Sequence, residues 1–307
     1  MKTGIDKSVT VIIPTLNEGK CLPRLLESIR KQDFDDFEIV VADAHSTDDT
    51  VQTARRYGAR VVVGGLPGVG RNRGAKQAQG EFLFFLDADV KLPRDFLRKA
   101  YNEMQERFLD LATCEMRPLS SLRLDRVLYK GANLIIKMGQ HTRYPHAPGY
   151  CILISKRLFE RIGGFDESLR LAEDHDLVVR ASRFRPLRVL TSTTASVDVR
   201  RLRKEGRLNY AAKNVHVEIH RLLLGKIVDD NTIEYQFGDF GRVNTASKLR
   251  KVEQRIHRME MQYRALLRGH EKRQRAFAAR RLRIIGNSLR VFPQPPGKKE
   301  RDAAHRG

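Results

Sequence analysis

The sequence predicts an α/β fold with a mostly parallel central sheet, helices on both faces, and a helical, basic C-terminal extension. Three observations predict it. Short β-branched or Phe-rich runs recur over residues 9–13, 37–42, 59–63 and 82–86, separated by stretches of helical periodicity. Strand and helix in alternation argue a parallel sheet joined by right-handed crossovers. The run Glu81-Phe82-Leu83-Phe84-Phe85-Leu86-Asp87-Ala88-Asp89 is apolar for five positions and then stops at two carboxylates, as a strand buried on both faces would. The net charge of +21 is uneven: residues 200–307 hold 27 Lys and Arg against 11 Asp and Glu. A nearly balanced body therefore precedes a strongly basic third.

Val9 to Ile13 is the first strand, and Pro14 ends it because proline cannot donate to a ladder. Thr15-Leu16-Asn17-Glu18-Gly19 is a loop at the strand's C-terminal edge, and Leu22, Leu25, Leu26 and Ile29 mark a helix to about Lys31. Phe37 to Ala42 is a second strand ending at Asp43. Ser46-Thr47-Asp48-Asp49 starts a helix that runs to Tyr57, and Ala59 to Val63 is the third strand. Gly64 to Gly74 reads as a loop opening a helix near Arg71. Its Gly68-x-Gly70-x-x-x-Gly74 spacing misses the dinucleotide fingerprint by one residue and lacks a P-loop's Lys-Ser/Thr ending. Its backbone N–H groups, with Arg71 or Arg73, can still hold a phosphate.

Beyond the Phe-rich strand, a helix is expected over Pro93–Arg107 and a strand over Leu109–Met116. From Ser121, Leu124, Val127, Leu128, Gly131, Leu134, Ile135 and Met138 form one helical stripe, with Arg123, Arg126, Lys130 and Lys137 on the other side. Such a helix either covers a core or lies on a membrane surface. His141 to Gly149 is a loop whose His146 can touch a ligand or simply face water. Tyr150 to Ser155 is a strand and Gly163-Gly164-Phe165-Asp166 a turn. Glu173-Asp174-His175-Asp176 begins a helix, where the dipole alone would favour acidic residues. Pro186–Leu190 and Thr194–Val199 read as two strands. Leu249, Val252, Ile256, Met259, Tyr263 and Leu266 alternate at three and four residues, a seam through which 249–266 can self-associate. The chain thus divides into a main α/β domain (8–205), a helical part of its core (206–245), a basic helical extension (246–291) and a disordered tail (292–307).

Composition excludes some classes. The cysteines Cys21, Cys114 and Cys151 stand far apart without a CxxC pair, against a disulfide framework or zinc site and for a reducing compartment. Apolar runs of about five residues fall far short of the roughly 20 that a membrane span needs. No signal-peptide core follows the N-terminus, so the expectation is a cytoplasmic chain. A surface this basic attracts nucleic acid, anionic lipid or phosphorylated substrates.

Residues two apart on a strand share a face, so Asp87 and Asp89 can aim at one point beyond the strand's C-terminal end, where open α/β sheets hold ligands. Two carboxylates there suit Mg²⁺ or Mn²⁺, which takes its other ligands from phosphate and water; the plain alternative is a solvated turn.

Four stretches together resemble the family 2 glycosyltransferases of the GT-A fold: Pro14-Thr15-Leu16-Asn17-Glu18, Val41-Ala42-Asp43-Ala44-His45-Ser46-Thr47-Asp48, Gly70-Arg71-Asn72-Arg73-Gly74 through to Asp87-Ala88-Asp89, and Gly163-Gly164-Phe165-Asp166-Glu167 followed by Glu173-Asp174. The resemblance spans residues 8–200. His45 stands where the family's base loop usually has a small residue. The resemblance implies a nucleoside-diphosphate sugar as donor, with Thr15, Glu18 and Asp43 on its nucleoside and Arg71 on its base or diphosphate. It places Asp87 and Asp89 on nucleotide and metal, with Asp89 the more direct ligand, and Asp174 as general base. One base on the acceptor face and in-line displacement imply inversion at the anomeric carbon. Arg200 and Arg201, after the last strand, can clamp the diphosphate. The acceptor is not named by the sequence; the basic regions fit a lipid-linked one at an anionic membrane. Two rivals stand beside this reading: a nucleotidyltransferase making sugar nucleotides, and a basic nucleic-acid-binding protein.

Overall fold

In a computed structural model, the described residues are 7–210 except 143, 170 and 208. They run β1 (Val9–Thr15), α1 (Leu22–Arg30), β2 (Phe37–Asp43), α2 (Thr50–Arg56), β3 (Arg60–Val63), α3 (Pro67–Lys76), β4 (Phe82–Leu86), β5 (Val90–Lys91), α4 (Phe96–Glu106), β6 (Leu111–Pro118), α5 (Arg123–Gly139), β7 (Cys151–Ser155), α6 (Lys156–Arg161), α7 (Glu173–Ser182), β8 (Arg188–Val197) and α8 (Arg200–Glu205). Past residue 210, the helical part expected over 206–245, the extension over 246–291 with its 249–266 seam, and the 292–307 tail lie outside the described residues.

The strands make one sheet in the order β3-β2-β1-β4-β7-β6-β8-β5. β3, β2, β1 and β4 are parallel, as the alternating pattern predicts. Beyond β4 the sheet is mixed: β7 runs antiparallel to β4 and β6, β8 is parallel to β6, and β5 is antiparallel to β8. A buried strand is equally apolar in either direction, so its sequence carries no sign of this reversal. The two strands expected over 186–199 are one, β8, whose register against β6 shifts between Cys114 and Glu115. β5 and α6 are too short to announce themselves by periodicity.

β4 is buried along its whole length. Phe82, Phe84 and Leu86 join the core under α1 and α4, while Leu83 and Phe85 pack on the other face with Phe159, Phe165 and Leu177. Each such side chain contributes up to about 1.5–3 kcal/mol on burial. The strand that ends at Asp87 is therefore held from both faces.

One expectation fails, and one of two alternatives falls away: the loop over Gly64–Gly74, and the apolar stripe of α5 as the cover of a core. Most of Gly64–Gly74 is not a loop: α3 begins at Pro67, a residue suited to a helix's first turn. The glycines serve close packing instead. A Cβ on Gly74 would lie 2.5 Å from Ile12 Cγ2, so α3 can lie directly on β1. On α5, the sector facing the core is Asp125, Tyr129, Asn133 and Ile136. Of the apolar stripe, Leu128 packs at the edge of that sector, and Leu124, Val127, Leu134, Ile135 and Met138 face away, exposed.

Candidate active site

The site is built where β1, β2 and β4 end. Thr15 Oγ1 donates to Asp43 Oδ1 at 2.9 Å, and Ser46 donates to Asp43 through its N (2.8 Å) and Oγ (2.6 Å). Asn17 donates its N to Ser46 Oγ and accepts from Thr47 N, each at 2.8 Å. The loops after β1 and β2 are thus laced together. Asn17 and His45 both take left-handed backbone, φ 53° and 59°. His is among the side chains that enter this region more readily than most, so His45 is compatible with the bend it occupies. Thr15, Glu18 and Asp43 are all buried.

Glu18 and Asp89 meet over Arg200. Arg200 Nη1 and Nη2 donate to Glu18 Oε2 and Oε1 at 2.7 and 2.5 Å, and its Nε donates to Asp89 Oδ2 at 3.3 Å. Burial raises the Glu18 carboxyl above its usual range, with Arg200 opposing the shift. Burial also raises Asp89; the Arg201 and Arg200 charges pull against it while Asp87 and Asp198 add to it. Burial alone would lower the Arg200 pKa, but Glu18 and Asp89 more than offset it and keep the guanidinium charged.

Asp87 and Glu173 meet over Arg71. This guanidinium is 3% exposed and donates to Asp87 Oδ1 at 2.8 Å, Glu173 Oε1 at 2.7 Å and the Gly149 carbonyl at 3.3 Å. Burial raises the Glu173 carboxyl, the neighbouring Asp174 adds to that, and Arg71 counters it. Arg71 thereby joins the end of β4 to the start of α7.

Asp174 follows Glu173 in the first turn of α7. The preceding residue, Ala172, has φ 60°, a conformation that a non-glycine residue holds only where its surroundings impose it. Asp174 Oδ2 accepts from Gly149 N at 2.7 Å and Oδ1 from His175 N at 2.8 Å. These contacts aim a carboxylate that is 17% exposed. A Cβ on Gly149 would sit 2.7 Å from Arg71 Nη2 and 3.2 Å from Asp174 Oδ2, so only glycine fits there undisturbed. The His146 ring lies 5.0 Å from that of His175.

The structure therefore brings Asp87, Asp174 and Arg71 into one cluster, and Glu18, Asp89 and Arg200 into another that adjoins it through the Asp87–Asp89 segment. Arg71, expected on base or diphosphate, is buried among protein partners. Glu173, in the signature but with no role from the sequence, and Gly149, outside every motif, are added to the site by the structure. Glu173 has an ordinary explanation as a helix-start acid, and Gly149, after Pro148, resembles any turn glycine. A cavity of about 380 Å³ beside the C-terminal half of α7, lined by Thr142, Tyr144, Val179 and Arg183 among others, includes none of the acidic cluster.

Among the described residues no three His, Cys, Asp or Glu side chains gather into a ready metal cage. Asp87 and Asp89, the expected metal ligands, hydrogen-bond to Arg71 and Arg200; two carboxylates suit an ion that completes its shell with phosphate and water.

The model of Glycosyl transferase family 2 matches residues 10–163. TarS of Staphylococcus aureus, a poly(ribitol-phosphate) beta-N-acetylglucosaminyltransferase, is 31% identical over 183 residues, 56% of this chain and 32% of TarS. A GalNAc(5)-diNAcBac-PP-undecaprenol beta-1,3-glucosyltransferase of Campylobacter jejuni is 39% identical over 93 residues, 27% of this chain and 30% of the relative. The chain thus spans about a third of the length of these curated relatives. The crystal structure of S. aureus TarS 1-349 in complex with UDP-GlcNAc superposes with TM-score 0.52 at 26% identity, covering 73% of this chain and 68% of that one. The mannosyltransferase PcManGT from Pyrobaculum calidifontis shares the fold, with TM-score 0.53 at 22% identity over 68% and 64% of the two chains. With the family model spanning half its length, an α/β sheet of GT-A type and the motifs at the sheet's C-terminal edge, this chain belongs to glycosyl transferase family 2.

Proposed function

We propose that the chain is an inverting glycosyltransferase that moves a sugar from a nucleoside-diphosphate sugar to an acceptor hydroxyl or phosphate. The observation that carries this reading is the Arg71 bridge, which sets Asp87 and the Glu173-Asp174 pair at one site. The UDP-GlcNAc complex of TarS supports a UDP-sugar as the first donor to try.

In this reading the laced loops after β1 and β2 receive the nucleoside through Thr15, Glu18 and Asp43. Asp87 and Asp89 would hold Mg²⁺ or Mn²⁺ with the donor. Bound there, the ion supplies fixed positive charge for the leaving diphosphate. Arg200, held on Glu18 and Asp89, and Arg201 bring positive charge beside the diphosphate and stabilise the charge that develops there. Asp174 takes the acceptor's proton as the oxygen attacks; a positioned base typically contributes about 10²–10⁴-fold. Attack in line from the side opposite the diphosphate inverts the anomeric carbon. The names of the relatives support polymer-borne or lipid-borne acceptors.

Product analysis on a panel of UDP- and GDP-sugars tests the reading. The expected product is nucleoside diphosphate, stopped by EDTA and restored by Mg²⁺ or Mn²⁺. Pyrophosphate release would instead establish a nucleotidyltransferase.

A further inference from the structure

α5 divides into three sectors. Asp125, Tyr129, Asn133 and Ile136 face the domain. Leu124, Val127, Leu134, Ile135 and Met138 are between 49% and 65% exposed. At about 100° per residue they centre roughly 160° around the helix from the buried sector. Arg123, Arg126, Lys130 and Lys137 fill a third, exposed sector roughly 100° from the apolar one.

The helix cannot simply roll its apolar stripe inward. Asp125 accepts from Ser120 Oγ at 2.6 Å and from Arg207 Nε at 2.6 Å, with its side chain fully buried. Asn133 accepts from Met116 N and donates to Met116 O, both at 2.9 Å. Rotation would strand these groups without partners, the charged one at the greater cost. The outward stripe is therefore part of the folded arrangement.

We propose that α5 is a docking helix for an anionic lipid bilayer, its apolar sector entering the headgroup–acyl boundary and its basic sector meeting the headgroups. Charge decides between occupants. Residues 200–307 carry a net +16, with acids and no bases only over 227–241, so as a whole they are a poor match for the basic sector. A second copy would bring the same basic sector against its own. An anionic bilayer answers both the apolar and the basic sector along the whole helix, and this division is that of helices lying in the interface plane. Lys137 also pairs with Glu115 on β6, which leaves Arg123, Arg126 and Lys130 as the main headgroup contacts. The proposal is independent of the transferase reading.

The chain has no tryptophan, so Leu134→Trp installs a single reporter in the stripe of the full chain. Phe108→Trp places one at an exposed site outside α5 (90% exposed). On vesicles of phosphatidylcholine with phosphatidylglycerol, the Leu134→Trp emission should shift to the blue and be quenched by brominated acyl chains; the Phe108→Trp emission should do neither. Leu134→Asp with Ile135→Asp should weaken vesicle partitioning about 100-fold while far-UV circular dichroism and Tm stay as in the parent. Three results would overturn the proposal: binding with no change at position 134, undiminished binding of the double variant, or blue emission from Leu134→Trp before vesicles are added. The last would reveal a protein occupant, and its dependence on concentration would separate a second copy from the chain's own C-terminal third. No donor or acceptor is present, so failure here leaves the transferase reading untouched.

Discussion

Arg200 grips Glu18 with both terminal nitrogens, at 2.7 and 2.5 Å, across 182 positions of sequence. The pair ties the residue after the last strand to the loop after the first, over the carboxylate of Asp89. A fork of this kind is rigid in a way that a lysine cannot reproduce.

Arg200→Ala should therefore weaken nucleoside diphosphate binding about tenfold or more, and Arg200→Lys should fall between it and the parent. The folded state should lose about 1–3 kcal/mol, because two buried carboxylates lose a partner that is itself 20% exposed. Calorimetric titration with UDP and urea denaturation read the two effects. Unchanged UDP affinity in Arg200→Ala would remove Arg200 from the donor site.

Arg71→Met should cost about 3–5 kcal/mol, since it leaves Asp87 and Glu173 facing each other without the guanidinium. Adding Glu173→Gln to Arg71→Met should recover part of that loss, as one uncompensated charge disappears. A double-mutant cycle by urea denaturation measures the coupling; purely additive losses would mean that the bridge holds nothing together.

Asp174→Asn keeps an oxygen that can accept from Gly149 N but removes the base. Turnover should fall about 10²–10⁴-fold with donor affinity and Tm close to the parent's. Near-normal turnover would assign the base elsewhere.

Gly149→Ala forces a methyl group against Arg71 and Asp174. Displacing the base by a fraction of an ångström should lower kcat, by up to about 100-fold, without a matching loss of donor affinity. Gly131→Ala on α5, where an added Cβ meets nothing within 4 Å, should stabilise the helix by about 0.5–1 kcal/mol and leave kcat alone. Equal kcat in the two variants would mean that the Gly149 contact does not position Asp174.

Acidification should separate ligand binding from folding. Glu18 and Asp89 have raised carboxyls, so they protonate before ordinary carboxylates, whose values lie near 4. Cation and nucleotide affinity should fall first. Burial pushes Glu103 and Asp110 upward, but Ser192 and Thr191 around Glu103, and Ser155, Arg185 and Arg157 around Asp110, lower both below their usual range. The stability they contribute is complete above the unfolded carboxylate range and is lost only as pH falls through the lowered values. Titrating UDP affinity and circular dichroism over the same pH series compares the two; simultaneous loss would contradict this order.

The motifs at the ends of β1, β2 and β4 were legible because buried strands punctuated by turn residues leave a strong linear trace. The two-residue period of a strand does not relate Asp87 to Asp89: both lie beyond β4, in a turn where Val90 N donates to the Asp87 carbonyl, and they meet Arg71 and Arg200 respectively. The α3 glycines misled because a glycine needed for close packing is indistinguishable, in one dimension, from a glycine needed for a turn. The apolar stripe of α5 left two readings open, because periodicity shows that a helix has an apolar face, not which way that face looks.

What the sequence determined by itself was local: which segments become strands, where they stop, and which acids stand at those stops. Only the tertiary structure decided which charges meet. Arg71 with Glu173 and Arg200 with Glu18 lie 102 and 182 positions apart, and a guanidinium finds its carboxylate through the geometry of the folded sheet, which no spacing along the chain encodes. The direction of β7 and the outward turn of α5 were settled in the same way, because both depend on what packs against them rather than on their own residues.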